Sequence, residues 1–163
     1  MKWLPLVSLL FIAHMTYGQQ DNINSLLKAA VPGKISNYKG KGKYENTNVT
    51  FKYLGAVSNG PNVIKAVTYE KRTKTAMGNI HGSSGILFYN KKNITIGAYE
   101  MGGIDDRPDA IEGKNLVFRK TGDCNVTNKI DLSNGLPKSI YVRCTKDGGD
   151  LWNLTTEDKP FAL

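Results

Sequence analysis

Hydrophobic and polar residues alternate along most of the chain with the period of β-strands. In "NVTFKYLGAV", the apolar Val49, Phe51 and Tyr53 are separated by polar residues, which places them on one face of a strand. Similar short runs are separated by Gly, Asn, Asp or Pro, and they read "VIKAVTYE", "GILFYN", "NITIGAYE", "NLVFRK", "KIDLS", "SIYVRC" and "DLWNLT". Eight or nine short strands at this spacing predict an all-β fold, either a single β-sandwich or a barrel-like domain.

One helix is predicted before the strands. The stretch "NINSLLKAAV", from Asn22 to Val31, has apolar residues at helical spacing and an Asn or Ser that can cap its start. Pro32 and Gly33 follow and are expected to end it, because proline cannot continue a helix. The sequence therefore predicts a short N-terminal helix attached to a β-rich domain.

The first residues have the pattern of a secretory signal peptide. Lys2 precedes the short apolar stretch "WLPLVSLLFIA", and the small residues Thr16 and Gly18 fit the pattern of a cleavage site. The apolar stretch is too short to cross a bilayer, which takes about 18 or more apolar residues. We therefore expect a signal peptide at 1–18 and one secreted β-rich domain at 19–163, without a membrane span.

The cysteines and glycosylation sequons agree with secretion. Cys124 and Cys144 are the only cysteines, and an oxidising compartment favours a disulfide between them. Closing a loop of this length contributes roughly 3 kcal/mol. N-glycosylation acceptors, which must face solvent when modified, occur at Asn48, Asn93, Asn125 and Asn153.

The chain is basic, with a formal net charge of +8, and the positive residues are unevenly placed. Two clusters are candidates for binding a partner. They are Lys39, Lys41 and Lys43 in "YKGKGKY", and Lys71, Arg72 and Lys74 in "KRTK". Outside the cell, such clusters attract anionic glycans, anionic membranes, or acidic proteins and receptors, although they also occur on ordinary solvated surfaces. Nucleic acid is not an expected partner, because the chain is secreted and has no recognition helix.

A histidine near two serines raises the question of a hydrolase site. In "NIHGSSGILFYN", His81 precedes Ser83 and Ser84, but the nucleophile elbow requires G-x-S-x-G on a strand-to-helix turn. Here the spacing differs and the strand "ILFY" follows. We therefore expect a glycine-rich turn with a partly exposed histidine, although His81 could still serve a serine elsewhere, since triads are defined by spatial geometry. No catalytic residue is predicted.

Metal and cofactor chemistry is not predicted either. After residue 18 the chain has a single histidine, and this residue together with a disulfide cannot supply a four-ligand zinc site. An acidic stretch offers oxygen ligands for calcium, or an acid and base pair for glycoside hydrolysis, unless it is simply a solvated loop. Its carboxylates belong to Glu100, Asp105, Asp106, Asp109 and Glu112.

A series of motifs in the second half resembles one extracellular module. "HGSSG", "ITIGAYEMGG", "RPDA" and "SIYVRCTKDGGDL" follow one another between His81 and Leu151 in an order that is similar to the DM13 domain. Gly102 stands where that family tends to have Asp, and the spacing near Asp105 carries an insertion. The resemblance implies a β-sandwich and a redox role for Cys144, whereas a disulfide with the second cysteine implies a structural role.

Composition and motifs together predict a secreted, basic, monomeric protein that binds an extracellular protein, receptor or anionic glycan and is not an enzyme. Small basic domains of this composition occur among saliva- and venom-type effectors with vasoactive or anti-haemostatic action. Two alternatives remain open, a DM13-like electron-transfer module and a glycan-acting enzyme that uses the acidic loop at 100–112.

Overall fold

The computed structural model describes residues 7–40, 46–103, 106–119 and 124–156, with side chains from residue 18 onward. The elements in the described residues are α1 (Val7–Ala29), β1 (Ile35–Lys39), β2 (Thr47–Asn59), β3 (Asn62–Lys74), β4 (Ile80–Tyr89), β5 (Thr95–Met101), β6 (Ala110–Glu112), β7 (Asn115–Phe118), β8 (Asn128–Asp131), β9 (Ser139–Arg143) and β10 (Gly149–Asn153).

The strands form three antiparallel sheets, which confirms the predicted all-β class. The large sheet is a meander in the order β1-β2-β3-β4-β5, and the smaller sheets are β6-β7-β8 and β9-β10. A backbone bridge between Ala98 and Thr155 links the segment after β10 to β5. The described residues contain ten strands where eight or nine were expected. The sequence runs did not single out β1 and β6, because "ISNYK" is mostly polar and β6 has only three residues.

Both faces of the central part of the large sheet are covered. In β4, Ile86 and Phe88 belong to the cluster formed with the small sheets, whereas Leu87 and Tyr89 belong to the cluster formed with the helix. All four side chains are at most 2% exposed. The large sheet is therefore the middle of three layers, and its central strands are apolar on both faces rather than alternating with solvent.

The helix covers one face of the sheet with residues from its C-terminal half. Ile23, Leu26 and Leu27 recur at helical spacing and pack against the apolar face that includes Phe51 and Val67. The helix begins earlier than predicted, at Val7, but its end at Ala29 agrees with the sequence. These three packing residues all follow Gly18, so a chain cut at the predicted site would keep them.

The residue that ends the helix is in an unfavourable conformation. Ala30 has φ 51°, and its amide donates to the carbonyl of Leu26 at 2.9 Å. Glycine is the usual residue at this left-handed position, because other side chains cost about 1–2 kcal/mol there. We expect Ala30→Gly to raise the free energy of unfolding by about 1 kcal/mol in urea titrations.

A matched control for that change is Ala29→Gly, one residue earlier, at the last helical residue. It should lower the free energy of unfolding by roughly 0.5–1 kcal/mol, because glycine loses more conformational freedom there than alanine. Equal destabilisation by both changes would contradict the assignment of Ala30 as the helix cap.

Buried tyrosines should make the fold sensitive to alkali. Burial raises the pKa of Tyr69 to about 12, with a smaller contribution from Glu100, and burial raises the pKa of Tyr99 to about 12. Tyrosine in the unfolded chain ionises near pH 10. The stability that these two buried tyrosines contribute is therefore complete below about pH 10 and is lost as pH rises from there through about 12. Urea unfolding at a series of alkaline pH values measures this decline. Tyr69→Phe should reduce its slope, and an unchanged slope would contradict the contribution of Tyr69.

Candidate anion-binding face

Strand register brings two basic residues into one row across the large sheet. Lys39 of β1 pairs with Asn48 of β2, and Asn48 pairs with Arg72 of β3. Directly paired residues of an antiparallel sheet project from the same face with Cβ atoms about 5 Å apart. Lys74 lies two residues beyond Arg72 on β3 and shares that face, because side chains alternate along a strand. We call Lys39, Arg72 and Lys74 the basic face; all three side chains are exposed.

An acidic residue connects the basic face to the loop before β6. Glu70 shares the face with Arg72 and forms ion pairs with Arg72 and with Arg107, the latter at 2.8 Å. The Glu70 side chain is only 12% exposed, whereas that of Arg72 is 56% exposed. The carboxylate therefore holds two guanidinium groups at the border of the face, and Arg72 is partly neutralised. Among the described residues, Lys39 and Lys74 form no ion pair, so these two lysines carry most of the uncompensated charge there.

The structure divides the second predicted basic cluster between two faces. Lys71 pairs with Val49, whose side chain is buried against the helix layer, so Lys71 projects from the opposite side to Arg72 and Lys74. Adjacent strand positions point in opposite directions, which separates charges that are neighbours in sequence. From the first cluster, Lys41 and Lys43 lie outside the described residues.

The predicted glycosylation acceptors differ in their surroundings. Asn48, Asn125 and Asn153 are exposed. Asn93 is half-buried in the turn between β4 and β5 at φ 62°, and its side-chain oxygen accepts a hydrogen bond from the Lys65 ammonium at 2.7 Å. Three acceptors therefore present their amides to solvent, and one of these, Asn48, lies within the basic face.

The "HGSSG" stretch is part of β4, so the prediction of a turn at this position is wrong. The turn occurs earlier, where the Thr75 amide donates to the carbonyl of Asn79. His81 is exposed opposite Thr73, and Ser84 is buried on the other face with its hydroxyl donating to the Gly103 carbonyl. The structure therefore does not bring His81 and Ser84 together.

The acidic stretch is distributed over separate contacts. Asp106 accepts a hydrogen bond from the Gly103 amide at 2.8 Å, and Asp109 accepts one from the Arg119 amide at 2.7 Å. Glu112 pairs with Lys129 and Arg119, and these contacts, with Lys129 the larger, hold the pKa of its carboxyl below the ordinary value. Asp105 lies outside the described residues, and Glu100 is exposed on β5. Within the described ranges, no three His, Cys, Asp or Glu side chains gather as a metal site.

The cysteines form a disulfide beside a small cleft. Cys124 and Cys144 are bonded, and both line the cleft with Trp152, which stacks on Phe118 at 6.3 Å between ring centroids. The cleft is partly open, and its volume of about 30 Å³ is enough for a water molecule or a small ion. The DM13-like redox hypothesis for Cys144 would require opening this bond.

Sequence reasoning missed the arginines of this cleft. Apart from Arg72, every arginine of the chain lines it, namely Arg107, Arg119 and Arg143. These three arginines all lie in the cysteine-containing half of the sequence. That grouping could have indicated a candidate anion site there, since arginine favours bidentate contacts with anions. Asp106 and Asp150 also line the cleft, so its charge is nearly balanced and the basic face is the better anion site.

No family model, curated protein or solved structure matches this chain. Among the helices of the described residues, none combines the length and the apolar character that a membrane crossing demands.

Proposed function

We propose that this protein is secreted and binds sulfated, polyanionic glycans through the basic face. The observation that carries the proposal is the register that places Lys39 and Arg72 in one row, with Lys74 on the same side of the sheet. The signal-like N-terminus and the disulfide support an extracellular location, where such glycans are abundant.

The shape of the face favours a long linear anion over a small molecule. Lys39 and Arg72 are two strands apart, which places their backbones about 10 Å from each other. Cations at this separation on an exposed sheet surface can contact successive charged groups of a chain that lies across the strands. Binding of this kind is mostly electrostatic, so it should weaken as salt is added.

The test is retention on immobilised heparin, compared between wild type and the variant Lys39→Gln/Arg72→Gln/Lys74→Gln. We expect about thirtyfold weaker binding at physiological salt, since each uncompensated cation near an anionic surface contributes about 1 kcal/mol. Arg72 adds less than the two lysines because Glu70 already pairs with it. The salt dependence should also become shallower.

A second triple variant controls for net charge. Lys91→Gln/Lys92→Gln/Lys138→Gln removes the same charge from exposed positions elsewhere. It should retain most of the heparin affinity, and circular dichroism should show both variants folded. Equal losses in the two variants would mean that net charge alone governs retention. If the unglycosylated wild-type chain does not bind heparin, the proposed function is wrong.

A further inference from the structure

The middle position of the basic row is itself a glycosylation acceptor. Asn48 begins the sequon Asn48-Val49-Thr50 and pairs with Lys39 on one side and Arg72 on the other. Its side chain is exposed and projects from the same face as theirs. Val49, between the acceptor and Thr50, points to the helix side and is fully buried, which places the acceptor on the opposite side of the sheet, the side that carries the small sheets.

An N-linked glycan is a bulky, hydrated branched chain, larger than any side chain beside it. At Asn48 it would begin about 5 Å from each flanking Cβ atom, within reach of both side-chain cations. A polyanion that lies across the strands from Lys39 to Arg72 must pass over Asn48. The glycan and the polyanion therefore require the same space.

The other exposed acceptors do not share this position. Asn153 is at the end of β10 and pairs with Ser139 in the β9-β10 sheet, while Asn125 adjoins the disulfide. The pairing of Asn153 places its glycan on a different sheet from Lys39 and Arg72. Asn153 therefore supplies a matched control of the same chemistry.

We propose that N-glycosylation of Asn48 closes the basic face, so that occupancy of this single sequon sets whether the protein binds sulfated glycans. The inference rests on the proposed function of the basic face. It implies two forms of the protein, one with an open face and one with a covered face, that differ only in this modification.

The test compares the chain made in a glycosylating eukaryotic host with the unglycosylated chain folded with its disulfide intact. Peptide mapping by mass spectrometry measures occupancy at each acceptor, and binding to immobilised heparin is measured at physiological salt. The glycosylated wild type should bind about thirtyfold more weakly than glycosylated Asn48→Gln. Asn153→Gln should behave as the wild type, and all three chains should bind alike when unglycosylated.

A second variant guards against an effect of the substitution itself. Thr50→Val also destroys the sequon while leaving Asn48 in place, and it should restore binding to the same extent in the glycosylating host. Failure of the unglycosylated wild type to bind heparin would overturn the proposed function. Equal binding by unglycosylated and Asn48-glycosylated chains, or an unoccupied Asn48 in the glycosylating host, would overturn the inference alone.

Discussion

Replacing Gly85 with alanine is expected to lower the free energy of unfolding by about 3 kcal/mol, because the added methyl group has no space. A Cβ atom at this position would lie 2.6 Å from the Tyr99 carbonyl oxygen and 2.7 Å from the Tyr69 ring. Tyr69 is 4% exposed, so its ring cannot move away without leaving the core. Either β4 must separate from β5 or the tyrosine must be displaced, and both outcomes are costly.

Urea denaturation of Gly85→Ala measures this cost, and Gly102→Ala is the matched control. A Cβ at Gly102 has nothing within 4 Å, so the control should change the free energy of unfolding by less than about 0.5 kcal/mol. In a Tyr69→Leu background the effect of Gly85→Ala should shrink, because the ring is no longer present. An undiminished effect there would show that Tyr69 is not the obstacle.

Gly85 also shows where sequence patterns reach their limit. Its neighbours in "HGSSG" have the composition of a turn, and local composition predicts one. The actual reason for glycine is the close approach of two neighbouring strands, through the Tyr69 ring of β3 and the Tyr99 carbonyl of β5. These contacts depend on the pairing of β4 with β3 and with β5, and short-range composition carries no information about that pairing.

The strand positions themselves were largely predictable. "VIKAVTYE" and "GILFYN" correspond to β3 and β4, since β-branched and aromatic residues between turn formers indicate strands. What the alternation could not show is that β4 is buried on both faces. The helix that covers the second face is distant in sequence, so its effect on exposure appears only in the tertiary structure.

The candidate site was predicted in part. Both basic clusters contribute to the basic face. However, Lys71 projects from the opposite side, and the charge of Arg72 is partly neutralised by its ion pair with Glu70. Charge counting treats neighbours as a group, whereas a strand sends adjacent residues to different faces. The row from Lys39 through Asn48 to Arg72 depends on the register of three strands, which a linear charge pattern does not specify.

The disulfide is expected to be structural, and the double variant Cys124→Ser/Cys144→Ser should lose about 3 kcal/mol of stability. The bond spans a sequence separation of 20 and joins the segment before β8 to the end of β9. The same junction is held by the Asn125 amide donating to the Cys144 carbonyl at 2.8 Å. Without the covalent link, the unfolded chain gains the conformational freedom that the loop closure had removed.

Urea unfolding of the double variant measures this loss, and reduced wild type should give a matching value. Because the basic face lies on β1 and β3, the variant should keep its heparin affinity under conditions where it remains folded. If Cys144 instead acts as a redox thiol, the double variant should keep its stability and lose its exchange activity. Unchanged stability together with loss of a measurable thiol–disulfide exchange activity would contradict the structural role and favour the DM13-like redox hypothesis.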